Sequence, residues 1–419
     1  MFLKECRRII FSITFILFAA VMLLDYWSQY GTALSTVTEE PKAGEGDYWT
    51  YGTISDVDTD EVMQAAVQNL IVEYQQGNYT SYPFGYYKEV RLNDSKKAEM
   101  VNILNTLTGY DADELLHTTF NITQYGIDEG GNEVEVLPEN GVELPVVSEQ
   151  VTYDEFLLIM HQADDLIGGG SSYSESSIER LSERSVNYEE ALNVYQTFLE
   201  EGIAPGLARL LCDYLCIFAS LFPAFIAVAV WYRDKTAKMR DILWVKRSSS
   251  MKTVFARYGA IVGLCTLVIM LIALVTAILI TRLYAGESVK TAAFFKYTII
   301  WVVPSIMAST AIGAFFTEAT DTPAGILVML VYWFLDFNSG SLMITGLKTF
   351  TTLIPRHNSQ FMAAEFQTMY QNFLTNRVFF AAASLVLMLL TAMIFERKRR
   401  GRWLRFDKIS LRRKKEHPA

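Results

Sequence analysis

The sequence predicts an α-helical membrane protein: a six-helix transmembrane bundle plus a mainly helical extracellular domain. Three observations carry this. The 419 residues are 51% hydrophobic with a positive mean hydropathy, more apolar surface than one water-soluble core can hide. Six long runs are free, or nearly free, of charge: Ile9 to Leu24, Leu210 to Trp231, Phe255 to Ile280, Phe294 to Phe316, Ala324 to about Leu342, and Val378 to Phe395. Each approaches or exceeds the roughly 18 to 20 residues a helix needs to cross the hydrocarbon. Finally, charge sorts along the chain. The net charge of -10 hides acidic residues crowded between Asp25 and Glu201 and basic residues crowded beside the spans.

Lys4, Arg7 and Arg8 precede the first run, and Arg233, Lys235, Lys238, Arg240, Lys246, Arg247, Lys252 and Arg257 lie between the second and third. A third group, from Arg397 to Lys415, follows the last. The positive-inside rule makes these segments cytoplasmic, and six crossings put both termini on that side of a plasma membrane. Four parts result. Residues 1–25 are the cytoplasmic N-terminus and first span, 26–206 an acidic domain outside, 207–395 a five-helix bundle with a cytoplasmic loop at 233–253, and 396–419 a basic cytoplasmic tail. A basic stretch ahead of an apolar run serves both signal peptides and anchors. Asp25-Tyr26-Trp27, an interfacial aromatic pair rather than a small-residue cleavage site, favours an uncleaved anchor.

Within the acidic domain, apolar residues recur at helical spacing over Asp60 to Tyr74, Ser95 to Leu107, Tyr153 to Ile167 and Asn187 to Leu199, the last opened by an Asn N-cap with Glu190 three residues on. Asp128 to Glu143 reads as a loop or short hairpin. In the bundle, Pro304 should kink span four, and Thr322-Pro323 opens span five. Phe337 to Ser341 interrupts span five. Ile354 to Asn376 reads as an amphipathic segment in the interface, with Phe361, Ala364, Phe366, Met369 and Phe373 on one side.

Tests for chemistry come back empty. His117, His161, His357 and His417 have no metal-binding spacing, Gly346-Leu347-Lys348-Thr349 is not a phosphate-cradling loop, and no serine-hydrolase elbow occurs. No catalytic or metal residue and no directly bound cofactor is therefore expected. Cys6, Cys212, Cys216 and Cys265 lie in or beside spans, where small apolar character explains them. Asp164 and Asp165 ahead of Gly168-Gly169-Gly170 could bind a cation, but helix termination by glycine explains the pattern more simply. Asp336 inside a span is a functional candidate with Lys296 and Arg282 as its expected partners, and a structural salt bridge holding spans together is at least as good a reading as a substrate contact. Asp213 is read as interfacial. The basic tail suits anionic lipid, and nothing resembling a nucleic-acid module surrounds it.

The segment from Trp231 through Arg233, Asp234, Lys235, Met239, Arg240, Asp241, Ile242, Leu243, Val245 and Lys246 to Ser250, with Arg257 opening span three, resembles the corresponding loop of an ABC-2-type transporter permease. The resemblance covers the first span and the chain from about Leu207, on span order and topology. The family's Glu-x-x-x-Gly-Thr is here Asp234-Lys235-Thr236, without the glycine. Ala237, Met239, Ile242, Leu243 and Val245 can form an apolar stripe edged by Lys238, Arg240, Asp241 and Lys246, suited to a groove on a soluble partner. The resemblance implies that this partner is a separate ABC ATPase subunit supplying ATP, contacted through Arg233, Asp234, Met239, Ile242, Leu243 and Lys246. It implies further an exporter with a second permease chain, identical or related. A rival reading is a membrane-anchored sensor or scaffold whose outer domain binds a peptide or envelope component.

Overall fold

The structure is a computed structural model and describes residues 1–44, 48–54, 58–82, 88–117, 124–127, 133–136, 147–148, 150–174, 177–178, 184–237, 249–338, 347 and 350–401. Two compact units result, Met1–Lys42 with Leu192–Ala419, and Ala43–Ala191. Residues 26–42 and 192–206, expected in the acidic domain, thus belong to the helical bundle's unit.

The bundle unit opens on α1 (Phe2–Ile10) and α2 (Ile13–Tyr30). A single span from Ile9 was expected, but the chain breaks at Phe11-Ser12. Ser12 caps α2, its Oγ accepting from Phe15 N at 3.3 Å and donating to Ile9 O at 2.7 Å. Hydropathy could not see this break, because the residues on both sides of Ser12 are apolar. The second apolar helix, Ala204–Thr236, is 33 residues long and is divided at Ser220-Leu221 into α8 (Ala204–Ala219) and α9 (Phe222–Thr236). There Ser309 Oγ accepts from Ala224 N at 3.1 Å and donates to Leu221 O at 3.1 Å, so groups freed by the break are satisfied from a neighbouring helix.

Helix α10 (Ser250–Leu283) carries the third apolar run, and α11 (Ala292–Thr320) the fourth. Pro304 takes effect as expected of a residue without an N–H, and the irregularity takes the form of a π turn at Thr298–Val302 just ahead of it. α12 (Ala324–Phe337) has 14 residues, too few to cross by itself, and residues 339–346 lie outside those described. The last helix, α13, runs unbroken from Ala363 to Arg399 over 37 residues. The amphipathic interfacial segment expected from Ile354 is therefore replaced by a non-helical stretch up to Met362 and the first turns of α13. Phe361, Phe366 and Phe373 are each 2% exposed or less, packed inside rather than lying on lipid.

Small residues set the closest helix approach. A Cβ on Gly313 would lie 2.8 Å from Ala224 O, and one on Gly325 2.5 Å from Gly313 O, so α9, α11 and α12 meet backbone to backbone. Leu267, Leu271, Leu274, Val275 and Ile278 on α10 are exposed, as are Val378, Val386 and Met393 on α13. Bands of that kind need an apolar solvent. Five helices are long and apolar enough to cross a membrane among the described residues. The chain is an α-helical, multi-pass membrane protein.

The other unit packs α3 (Thr59–Gln76), α4 (Asp94–Thr108), α5 (Ala112–His117) and α6 (Tyr153–Ile167) around a core that includes Val62, Leu70, Met100, Leu104, Phe156 and Met160. α3, α4, α6 and α7 (Tyr188–Glu201) match the four helices expected from periodicity to within about two residues, and α5 was not expected. Asn187 and Glu190 cap α7 reciprocally, with Glu190 N donating to Asn187 Oδ1 at 2.9 Å and Asn187 N to Glu190 Oε2 at 2.7 Å. Short antiparallel pairs complete the unit: β1 (Thr53–Ile54) with β6 (Arg184–Ser185), β2 (Tyr79–Ser81) with β3 (Lys88–Val90), and β4 (Gln124–Ile127) with β5 (Glu133–Val136). Of the expected loop or hairpin at 128–143, residues 133–136 form β5, paired with β4, and the rest lie outside the described residues. Gly168, Gly169 and Gly170 all have positive φ, and Asp164 accepts from Ser171 N at 2.7 Å and Ser171 Oγ at 2.6 Å. Glycine termination explains that motif. Asp165 is instead paired with His161 at 3.4 Å.

Candidate functional site

Buried backbone without helix or sheet must find its partners in side chains, and the stretch from Thr351 to Phe361 does so at one end of the bundle. Thr352, Leu353, Ile354, His357 and Phe361 are all 2% exposed or less. Tyr332 OH donates to Thr351 O at 2.9 Å, Asn376 Nδ2 to Thr352 O at 3.0 Å, and Trp301 Nε1 to Pro355 O at 3.2 Å. Ser305 Oγ donates to Leu353 O at 2.7 Å. Asp336 Oδ2 accepts from the amides of Leu353 and Ile354 at 2.9 and 2.8 Å.

Arg377, wholly buried on α13, is the centre of this arrangement. Its Nη2 donates to Thr352 O at 2.9 Å, and its Nη1 to Ser305 Oγ at 2.8 Å and Trp301 O at 3.2 Å, while Nε reaches Asn376 Oδ1 at 2.8 Å. A guanidinium held by carbonyl dipoles stabilises irregular backbone from one side, and the Asp336 carboxylate does so from the other. The candidate function of Asp336 is therefore bound up with two backbone amides of this stretch. Lys296 lies elsewhere, 5.3 Å over the Tyr297 ring and 5.8 Å over that of Tyr370, and Arg282 is exposed.

Asp213, read from the sequence as interfacial, is fully buried among the helices. Its Oδ1 accepts from Arg356 Nε at 2.8 Å and His357 N at 2.9 Å. Asp25 on α2 is 4% exposed and within electrostatic reach of both Arg356 and Asp213. His357 Nε2 lies 3.1 Å from Phe361 O, and burial, reinforced by the Arg209 charge, pushes its pKa down to about 4. Its imidazole is neutral at physiological pH and donates to that carbonyl. Arg209 itself forms a bidentate pair with Glu201 at 2.5 and 2.8 Å.

The opposite end of the bundle holds a second buried charge layer. Arg257, 2% exposed, reaches Asp234 at 2.6 Å on α9 and Glu5 at 3.7 Å on α1, while Arg8 lies 3.9 Å from Glu5. Lys398 reaches Asp321 at 2.8 Å and Glu318 at 3.5 Å, and Lys235 Nζ donates to Asp321 O at 2.7 Å. Of the coupling residues expected from the sequence, Arg233 and Asp234 fall at the end of α9 in this layer. Met239, Ile242, Leu243 and Lys246 lie outside the described residues, as does the tail beyond Gly401.

Sequence reading missed Arg377, Asn376, Arg356, Asp25 and Asp213 as a group. Arg377 stands one residue before the apolar run at Val378, so hydropathy treats it as a flank. The available signal was the polar triplet Thr375-Asn376-Arg377 beside a segment rich in aromatics. No family model, curated protein or solved structure matches the chain.

Proposed function

We propose that this protein is the membrane-spanning permease subunit of an ATP-driven exporter resembling the ABC-2 type. In this reading the chain crosses a plasma membrane six times, with α12 and the residues after it as the fifth crossing. Both termini are cytoplasmic and the Ala43–Ala191 unit lies outside. ATP is bound and hydrolysed by a separate ABC ATPase subunit, a second permease chain completes the pathway, and the basic tail rests on anionic lipid.

The observation that supports this reading best is the Asp234–Arg257–Glu5 link. It ties the two helices flanking residues 238–248 to each other and to α1. A partner that pushes on Met239, Ile242, Leu243 and Lys246 would thus move α1, α9 and α10 together. Buried charge pairs resist separation, because parting them leaves each charge without compensation.

The test is affinity purification of the tagged protein in mild detergent, comparing wild type with the double substitution Ile242→Asp/Leu243→Asp. Co-purification of an ABC ATPase with wild type and its loss from the variant is the expected result. If no nucleotide-binding protein accompanies wild type, the transporter reading fails. The sensor reading then gains ground, favoured by a cleft of about 570 Å³ between α4 and α6 lined by Lys96, Glu99, Asn102, Gln162 and Asp165.

A further inference from the structure

Where the last apolar run ends, α13 passes from lipid-facing side chains to charged ones within about one helical turn. A cleft of about 540 Å³ opens there between the start of α10 and the end of α13. Its lining is mixed. Met251 and Met393, 43% and 53% exposed, supply apolar surface, and Arg397, Arg399 and Arg400 supply charge. The one carboxylate in the lining, Glu396, is already committed, accepting from Ser250 Oγ across the cleft and from Arg400 Nε at 2.7 Å. Three guanidinium groups against that one carboxylate leave an excess of positive charge in the lining. Cations gathered in one place repel each other, and an anion seated among them removes that cost.

We infer that this cleft is a binding site for the phosphate group of an anionic phospholipid, with Arg397, Arg399 and Arg400 holding the headgroup and Met251 and Met393 meeting the acyl chains. The planar fork of an arginine matches a pair of phosphate oxygens, and three such forks surpass what one exposed cation offers. A lipid suits the cleft better than a soluble phosphate ester, because charge and exposed apolar surface meet at the level where a bilayer passes from hydrocarbon to headgroup. The inference rests on the reading that the basic end of the chain lies on anionic lipid, and it moves the specific contact from residues 402–419 to a cleft between two helices. α10 begins directly after residues 238–248, so a lipid bridging it to α13 braces the helix on which a partner pressing that segment would act.

Native mass spectrometry of the full chain in detergent tests this, with phosphatidylglycerol or phosphatidylcholine of the same acyl chains added in steps. Wild type should bind phosphatidylglycerol in preference to phosphatidylcholine. Arg397→Gln/Arg399→Gln should weaken that binding at least about tenfold, because charge-assisted hydrogen bonds to the phosphate are removed. Removal of residues 402–419 should leave it unchanged. Arg397→Gln alone, at an exposed position, decides the matter if the double variant fails to fold. Binding that survives in both arginine variants but is lost on truncation overturns the cleft and leaves the basic tail as the lipid contact. A wild type without preference for phosphatidylglycerol overturns both. Displacement of the lipid by glycerol 3-phosphate at equal concentration gives the site to a soluble phosphate ester instead.

Discussion

Protonating His357 would place a charge beside Arg209 at a site 2% exposed, so the folded protein resists it. Its folded pKa of about 4 lies below the ordinary value of 6.5. Between those two values the unfolded chain binds the proton and the folded one does not. Stability from this residue is therefore complete above about pH 6.5 and declines as pH falls toward about 4, by on the order of 3 kcal/mol. Thermal midpoints of the detergent-solubilised protein should fall over that window, and His357→Gln should flatten that part of the curve. Two glycines make the other residue-scale prediction. A Cβ on Gly206 would collide with Gln360 O, and one on Gly313 with the Ala224 backbone. Gly313→Val should cost about 1 to 3 kcal/mol by forcing packed helices apart, read as a lowered midpoint.

Two elements owe their position to single arginines. Removing the Arg377 guanidinium leaves the carbonyls of Thr352 and Leu353 to Asn376 and Ser305 alone and takes a positive charge from the neighbourhood of the half-buried Asp336. Arg377→Ala should lose at least about 3 kcal/mol, since hydrogen bonds from a charged group contribute about 1.5 to 3 kcal/mol each and several are removed together. Asp336→Asn, which keeps one acceptor oxygen, should lose less. Faster limited proteolysis within residues 350–361 would show that this stretch is what loosens. At the other end, Arg257→Gln strands Asp234 and leaves Glu5 to Arg8, 3.9 Å away. The expected results are a loss of about 3 to 5 kcal/mol and faster maleimide labelling of the half-buried Cys6 as α1 lifts from α10. Labelling unchanged from wild type would show that α1 is held by Ile9 and its apolar neighbours instead.

At the scale of the molecule, the proposed topology places Ala43–Ala191 and the Arg397–Arg400 end of α13 on opposite sides of the membrane. Single cysteines at Ser95 and Arg400 separate the alternatives. A membrane-impermeant maleimide should modify Ser95→Cys in intact cells and Arg400→Cys only after lysis. The reverse pattern would invert the topology, and labelling of both in intact cells would require an odd number of crossings.

The apolar runs alone determined that the chain is a helical membrane protein and roughly where the long helices lie, because a lipid-facing helix must satisfy its backbone within itself and cover it with apolar side chains. Helical spacing likewise marked α3, α4, α6 and α7. What lay beyond reach were features decided by neighbours distant in sequence. The burial of Phe361, Phe366 and Phe373 belongs to this group. So does the polar network in which Asp213, Asp336 and Arg377 hold the stretch that carries Arg356, its members lying as far apart as α8 and α13. A charge in or beside an apolar run announces that something must compensate it. Which group does so is settled by packing alone, since the partners come from different helices and one non-helical stretch that only the folded bundle brings together.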